Sequence, residues 1–360
     1  MTFDCYCAIC GIGFSVMRIG SPSDATPERR QQYVERLSRS LVDARDTISS
    51  SSDNEEVIDS YDPRLVVQES IAWTSEVHCL GVHDVKGESK AFISGPGYYA
   101  DAGELAVKMG QREKRTYFNC YGFGTDEAPG PVVPFHYCCF EILLRTLTGT
   151  TDPNNVNLDV LYDVMMSQCN TSGSALRLAY GDDVARAQGQ YWRCLPGAEY
   201  SVKHPTITPG LEEFIQTQLR TNNKLRTPSK ELDLGNRQPE NPFGTLPTEI
   251  VHQICSYLPI VALSSLTQAS LFIHLVTRDD YFWRCFIKSG MPWLWESQIL
   301  RNSAAELPYD LNYKQAYLWL DSITAPRFAM DDAKLMGVAN RRRIWGVCEE
   351  LSNAYHPGKQ

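Results

Sequence analysis

An α+β fold is predicted by three features of this sequence. Short apolar runs separated by turn residues fill much of residues 61–124. Apolar side chains at helical spacing take over from residue 137 and again from residue 245. Between the two patterns, residues 221–241 are poor in apolar side chains and rich in Pro, Asn and charge, as suits an exposed connection. The expected organisation is a cysteine knuckle segment at 1–20 and a flexible insertion at 21–60. A mixed N-terminal domain of short antiparallel strands and helices follows at 61–220, with a linker at 221–241. Three short helices at 242–290 and a helical C-terminal extension at 291–355 complete it.

The first element is Cys5-Tyr-Cys7-Ala-Ile-Cys10-Gly11. Cys7 and Cys10 are separated by the two-residue gap of a zinc knuckle, a turn in which both sulfurs can face one ion. Residues 5–17 are apolar enough to imitate a signal peptide, but Asp4 replaces the positive flank and three cysteines occupy the apolar core, so secretion is not expected. The twelve cysteines are then reduced thiols in a cytoplasmic or nuclear protein, where close spacing points to metal before disulfides. Residues 21–60, with SSSSDNEE at 49–56, read as solvated, holding at most one helix through Tyr33, Leu37 and Leu41. Arg29, Arg30, Glu35 and Arg36 on that helix read as a wet face.

Short strands are expected at LVV 65–67, AW 72–73, VHCLGV 77–82, AFISG 91–95 and RTYFNCYGFG 115–124, with a turn at Gly95-Pro96-Gly97 and an exposed loop from Asp126 to Gly130. The glycine pairs lack the lysine and the strand–loop–helix order of a P-loop. In PVVPFHYCCFEILLRTLTG, residues 131–149, His136 and Cys139 stand at the start of an apolar helical run. A helix N-terminus favours the negative charge of a thiolate site. We therefore read Cys7, Cys10, His136 and Cys139 as ligands of one structural zinc, with four protein ligands leaving no open position for a reacting water. Cys138 could replace Cys139, Cys5 could replace Cys7, and His78, Cys79 and His83 form a nearby reserve. Leu158, Leu161, Tyr162, Met165 and Met166 continue a helical face, residues 190–205 read as core plus turn, and Leu211, Phe214, Ile215 and Leu219 mark a short helix before the linker.

In the third part Leu246, Ile250, Ile254 and Leu258 recur every four positions, Val251 widens that stripe, Pro247 suits a first helical position and Pro259 closes the helix. Thr245 offers a hydroxyl near the helix start. Leu263 and Leu266 carry a second segment, and Asp279-Asp280 caps a third through Tyr281, Phe282, Trp283, Phe286 and Ile287. The order Leu246-Pro247, Glu249-Ile250, Ile254, Leu258-Pro259, Leu263, Leu266 and Phe282-Trp283 resembles an F-box. The resemblance implies that Leu246, Pro247, Ile250, Ile254, Leu258, Leu263 and Leu266 bury against a Skp-type adaptor, while Trp283 anchors the third helix. Through that adaptor an F-box protein joins a cullin-RING ubiquitin ligase, and the rest of the chain selects an unknown protein substrate.

After Gly290, the aromatic residues of 291–295 and 313–320 read as a cover for the flank of the third helix, and Arg341, Arg342 and Arg343 as a solvated face or one paired with Glu349 and Glu350. Over most of its length, through CAICG at 7–11, AFISGPGYY at 91–99, PFHYCCFEILLR at 134–145 and NRRRIW at 340–345, the chain also resembles a group of filamentous-fungal F-box proteins with a cysteine-bearing N-terminal domain. Composition excludes other classes: 43% hydrophobic and 21% charged residues are those of a globular chain, and a net charge of −9 argues against a nucleic-acid partner. No apolar stretch reaches the length of a membrane span. No nucleophile elbow or metal-hydrolase motif is present, so the reading is a non-catalytic ligase subunit, with an F-box protein acting outside a ligase as the alternative.

Overall fold

The computed structural model describes residues 4–21, 27–43, 60–85, 88–110, 114–122, 131–170, 174–227, 242–298 and 307–358. They form two units: residues Met1–Thr208 together with Pro326–Gln360, and residues Pro209–Ala325. The acidic run 49–56, the loop 126–130 and most of the linker fall outside the described residues.

The first unit is mixed α+β. Its strands are β1 (His78–Val85), β2 (Glu88–Ile93), β3 (Gly97–Asp101), β4 (Glu104–Lys108), β5 (Arg115–Asn119) and β6 (Val133–Phe135). They make two three-stranded antiparallel sheets, ordered β2-β1-β6 and β3-β4-β5. Leu80 on β1 stands opposite Ile93 on one side and Val133 on the other. The central strand of the second sheet buries Leu105, Ala106 and Val107 in succession. Around the sheets lie α1 (Pro27–Asp43), α2 (Gln68–Ile71), α3 (Tyr137–Thr148), α4 (Leu158–Ser167) and α5 (Asp182–Ala187). Asn157 caps α4 by accepting from the N–H groups of Asp159 and Val160, the arrangement a helix start requires.

Three expectations change here. LVV 65–67 and AW 72–73 are not strands: the first lies in a turn leading to α2 and the second in a 3-10 turn, Ala72–Ser75. Ser70 Oγ bonds both the N–H and the carbonyl of Val67, and Thr74 Oγ1 donates to Ile71, so local hydroxyls compete with a ladder. Residues 21–60 hold a helix that is not only a wet face, since Arg30 pairs with the buried carboxylates Glu199 at 3.1 Å and Asp62 at 3.5 Å. Glu199 is fully buried and is further satisfied by the N–H of Gly197 at 2.7 Å, as a buried charge must be.

The third change concerns the arginines. The C-terminal helix, Ala333–Tyr355, belongs to the first unit and buries Leu335, Met336, Val338, Ile344, Val347 and Leu351 within it. Arg341 and Arg343 are buried and donate to backbone carbonyls instead of pairing with Glu349 and Glu350. Gly337 permits this packing, because a Cβ there would lie 2.9 Å from the His204 carbonyl oxygen.

The second unit is helical: α6 (Leu211–Thr221), α7 (Thr248–Ser256), α8 (Ile260–Ala269), α9 (Leu271–Val276), α10 (Asp280–Gly290) and α11 (Tyr313–Thr324). The unit boundary thus differs from the expected one twice. The helix at 211–221 leaves the expected 61–220 domain, because Leu211, Ile215 and Leu219 bury within this unit, with Phe214 6.3 Å from Trp319 of α11. The expected 291–355 extension is divided between the two units. The middle segment of the three-helix motif is also split, since Ser270 accepts from the Ile273 N–H and starts α9. Among the described residues no helix is long and apolar enough to cross a membrane.

Candidate functional site

The knuckle segment lies inside the first unit. Cys5, Cys7 and Cys10 are all fully buried, and the turn is closed by the Gly11 N–H donating to the Cys7 carbonyl at 2.8 Å. Gly11 has φ +74°, and a Cβ there would stand 2.6 Å from the Tyr180 ring, so glycine is required on both counts. A buried turn exposes carbonyls that need donors. Tyr121 Oη donates to Tyr6 at 2.6 Å, Tyr180 Oη to Ala8 at 2.9 Å, Gln188 Nε2 to Gly11 at 2.7 Å and Arg343 Nη1 to Cys10 at 2.8 Å.

The second pair comes from the β6–α3 junction. His136 is the N-cap of α3 and Cys139 lies in its first turn. One atom from each of Cys7, Cys10, His136 and Cys139 falls within 4.8 Å of the others, and all four residues are buried. The edges of a tetrahedron around zinc would be about 3.5–3.8 Å, given Zn–S of about 2.3 Å and Zn–N of about 2.0 Å. Cys10 Sγ lies 3.4 Å from His136 Nδ1, near that edge length. The N–H groups of Cys10 and His136 both point at Cys7 Sγ at 3.4 Å, bonds that favour a thiolate.

His136 is oriented by its other nitrogen. Nε2 lies 2.9 Å from the Thr74 carbonyl oxygen, which only accepts, so Nε2 carries the proton and Nδ1 turns its lone pair into the cluster. The ring packs against Phe14, tilted at 4.6 Å, and edge-on against Trp73 at 4.8 Å. Burial pushes the Cys10 and Cys139 thiols well above the usual range. Burial acts the same way on Cys7, but hydrogen bonds from the Cys10 and Cys139 thiols and the nearby His136 outweigh it and bring Cys7 well below that range.

The other thiol and imidazole candidates lie outside this four-residue group, although the Cys138 thiol hydrogen-bonds Cys139. Cys5 hydrogen-bonds Cys120, Cys138 is half-buried, and Cys79, whose N–H donates to Ser94, is pushed up to about 12 by burial. His78 packs against Tyr137 at 5.0 Å and His83 against Phe92 at 4.9 Å. Thr74, Tyr180 and Arg343, which hold the site from outside, were not anticipated. Only the burial-prone aromatic character of Tyr180 hinted at it, because tertiary hydrogen bonds leave no spacing signal.

In the second unit, α7 presents two apolar stripes. Val251 and Cys255 are buried, whereas Leu246, Ile250 and Ile254 are 37%, 42% and 38% exposed. Pro247 occupies the N-cap position and is exposed, with Thr245 making no cap. Leu258 and Leu266 are half-buried, and Leu263 and Trp283 lie in the core. Trp283 Nε1 donates to the Thr277 carbonyl at 2.6 Å, and Tyr317 of α11 packs 5.7 Å from its ring and 5.0 Å from that of Phe286. The expected cap by Asp279 is present, accepting from the Tyr281 N–H at 3.1 Å. Tyr257 and Val261 are 79% and 75% exposed and were not anticipated. They flank Leu258-Pro259, the turn between α7 and α8.

No curated protein and no solved structure matches the chain significantly. Residues 243–289, the segment that holds α7 to α9 and nearly all of α10, match the F-box-like family model, so the chain carries an F-box-like domain, a kind of domain that generally serves protein–protein interaction.

Proposed function

We propose that this protein is the substrate-receptor subunit of a Skp–cullin–F-box type ubiquitin ligase, docking on a Skp-type adaptor through Leu246, Pro247, Ile250, Ile254, Leu258 and Leu266. The observation that carries the reading is the apolar stripe of α7 that the unit leaves outside while burying the adjacent Val251 and Cys255. F-box domains commonly bind such an adaptor, and the F-box-like match supplies the family context. Leu263 and Trp283 then act from within, holding the helices that present the stripe. The receptor does no chemistry: a client held beside the ubiquitin-charged enzyme meets a raised local concentration of thioester.

The test is co-purification of the full chain with a Skp-type adaptor. Ile250→Asp with Ile254→Asp places carboxylates in a desolvated interface, costing several kcal/mol, and is expected to abolish the complex while leaving the melting temperature nearly unchanged. Val251→Asp, by contrast, is expected to destabilise the helical unit itself. Adaptor binding that survives the double change would end the proposal, and F-box-dependent ubiquitin transfer to a bound client separates a ligase receptor from an adaptor-bound protein outside a ligase.

We further infer that Cys7, Cys10, His136 and Cys139 hold one structural zinc. The four-atom cluster, the N–H groups aimed at Cys7 Sγ and the His136 tautomer support it. The ion would join the N-terminal turn to the start of α3 across 126 residues, from Cys10 to His136. Elemental analysis of the purified full chain is expected to return one zinc per chain, and Cys10→Ser to lose it together with stability of the first unit. A zinc-free protein of unchanged stability is the contrary result.

A further inference from the structure

One buried cation of the first unit, Arg343, stands beside the cysteine cluster and hydrogen-bonds neutral oxygens. Arg343 is 8% exposed. Its Nη1 donates to the carbonyls of Cys10 at 2.8 Å and Tyr180 at 2.9 Å, and its Nε and Nη2 donate to Asn340 Oδ1 at 3.3 and 2.8 Å. Each of these oxygens is neutral. Asn340 is itself fixed, since its Nδ2 donates to the Lys203 carbonyl at 2.7 Å. A buried guanidinium surrounded by neutral oxygens needs an opposite charge close by, and neutral oxygens alone would be served as well by an uncharged donor.

The cluster supplies that charge when it holds a metal. Three thiolates and one neutral imidazole around a divalent ion leave one net negative charge, here in a site whose ligands are all buried. The guanidinium is hydrogen-bonded to the carbonyl of a ligand residue, Cys10, which places the positive charge against the backbone of the anionic centre. We propose that Arg343 is the counter-charge of the metal centre, a positioning residue through which the C-terminal helix stabilises the thiolate-bound ion. The proposal rests on the zinc reading and extends it: the residue that makes a three-thiolate site tolerable in the core comes from the far end of the chain.

The experiment measures the zinc dissociation constant of the full chain by competition with a chromophoric chelator, for the wild type, Arg343→Met and Arg343→Lys. Loss of an outer-shell charge is expected to weaken zinc binding by about 10- to 100-fold in Arg343→Met. Arg343→Lys, which keeps the charge, is expected to retain most of the affinity. The thermal midpoint of Arg343→Met is expected to fall further below wild type with zinc bound than after chelation, because only the loaded site carries the charge. Equal zinc affinity in Arg343→Met and wild type overturns the proposal while leaving the metal site standing. So does an equal loss in the Met and Lys variants, or an equal drop in midpoint with and without zinc, since each describes a residue that only satisfies carbonyls. Should Arg343→Met fail to fold, Arg343→Lys decides: retained affinity supports the counter-charge and lost affinity overturns it. A wild type that takes up no zinc defeats the metal reading itself, and the counter-charge with it.

Discussion

His136 shows how a single side chain acquires a role from its surroundings. Its position three residues before Cys139 marked it as a ligand candidate, but only the Thr74 carbonyl at 2.9 Å from Nε2 decides which nitrogen is free. A second histidine in the same layer has a different fate. His204 packs against Trp73 at 5.7 Å, and its Nδ1 accepts from the N–H groups of Thr206 and Ile207, both at 3.2 Å. Burial, assisted by the Arg341 charge, pushes it down to about 4. In the unfolded chain an ordinary histidine takes up its proton near pH 6.5. Above that pH both states are neutral there. Between about 6.5 and about 4 the unfolded chain binds the extra proton, so stability is lost as pH falls through that window. Allowing for partial solvation, about 1–2 kcal/mol is at stake. His204→Asn, whose Oδ1 can accept the same N–H groups, is expected to flatten this part of the pH profile in urea unfolding. Comparing the two proteins at equal zinc occupancy isolates the residue, and parallel profiles for both would refute the assignment.

At the scale of the element, α7 illustrates what periodicity can and cannot say. The recurrence of Leu246, Ile250, Ile254 and Leu258 correctly predicts a helix, although Leu246 and Leu258 fall just outside its ends and only Ile250 and Ile254 lie within it. It does not say which of two adjacent apolar faces turns inward. Val251 and Cys255, also four apart, are the ones the unit buries, and the longer stripe stays at the surface. Four-residue spacing is equally compatible with a core and with a docking surface, so the choice depends on the packing of α9 and α10. The same limit applies to the C-terminal helix. Three successive arginines read as a wet face by composition, yet Arg341 donates to the Pro205 carbonyl at 2.7 Å and Arg343 to the carbonyls of Cys10 and Tyr180. Backbone carbonyls in irregular segments satisfied those cations, and irregular segments have no period to read.

For the whole molecule, the chain order and the unit order differ. Residues 326–360 return to the unit formed by residues 1–208 after the helical unit has been completed. The returning helix buries seven large apolar side chains, from Leu335 to Leu351 and including Trp345, which at about 1.5–3 kcal/mol each match or exceed the whole stability of an ordinary domain. A chain ending at Ala325 is therefore expected to lose the cooperative unfolding of the first unit and its zinc, in addition to the Arg343 contact with Cys10. Tryptophan fluorescence during denaturation and metal analysis would reveal this, and a truncated protein with a normal transition and normal zinc content would contradict it.

By itself, the amino-acid order determined the α+β class, the longer helices and the strands β1, β2 and β5, the F-box-like segment and the four residues of the cysteine–histidine cluster. These follow from local spacing: alternation, helical recurrence and the Cys-x-x-Cys turn need no knowledge of the rest of the chain. The tertiary structure alone decided that Arg30 and Arg343 are internal, that the helix at 211–221 joins the F-box-like unit, that the last helix joins the first unit, and which stripe of α7 remains outside. Each of those depends on what distant backbone offers a side chain once water has been removed, a quantity that spacing along the chain does not encode.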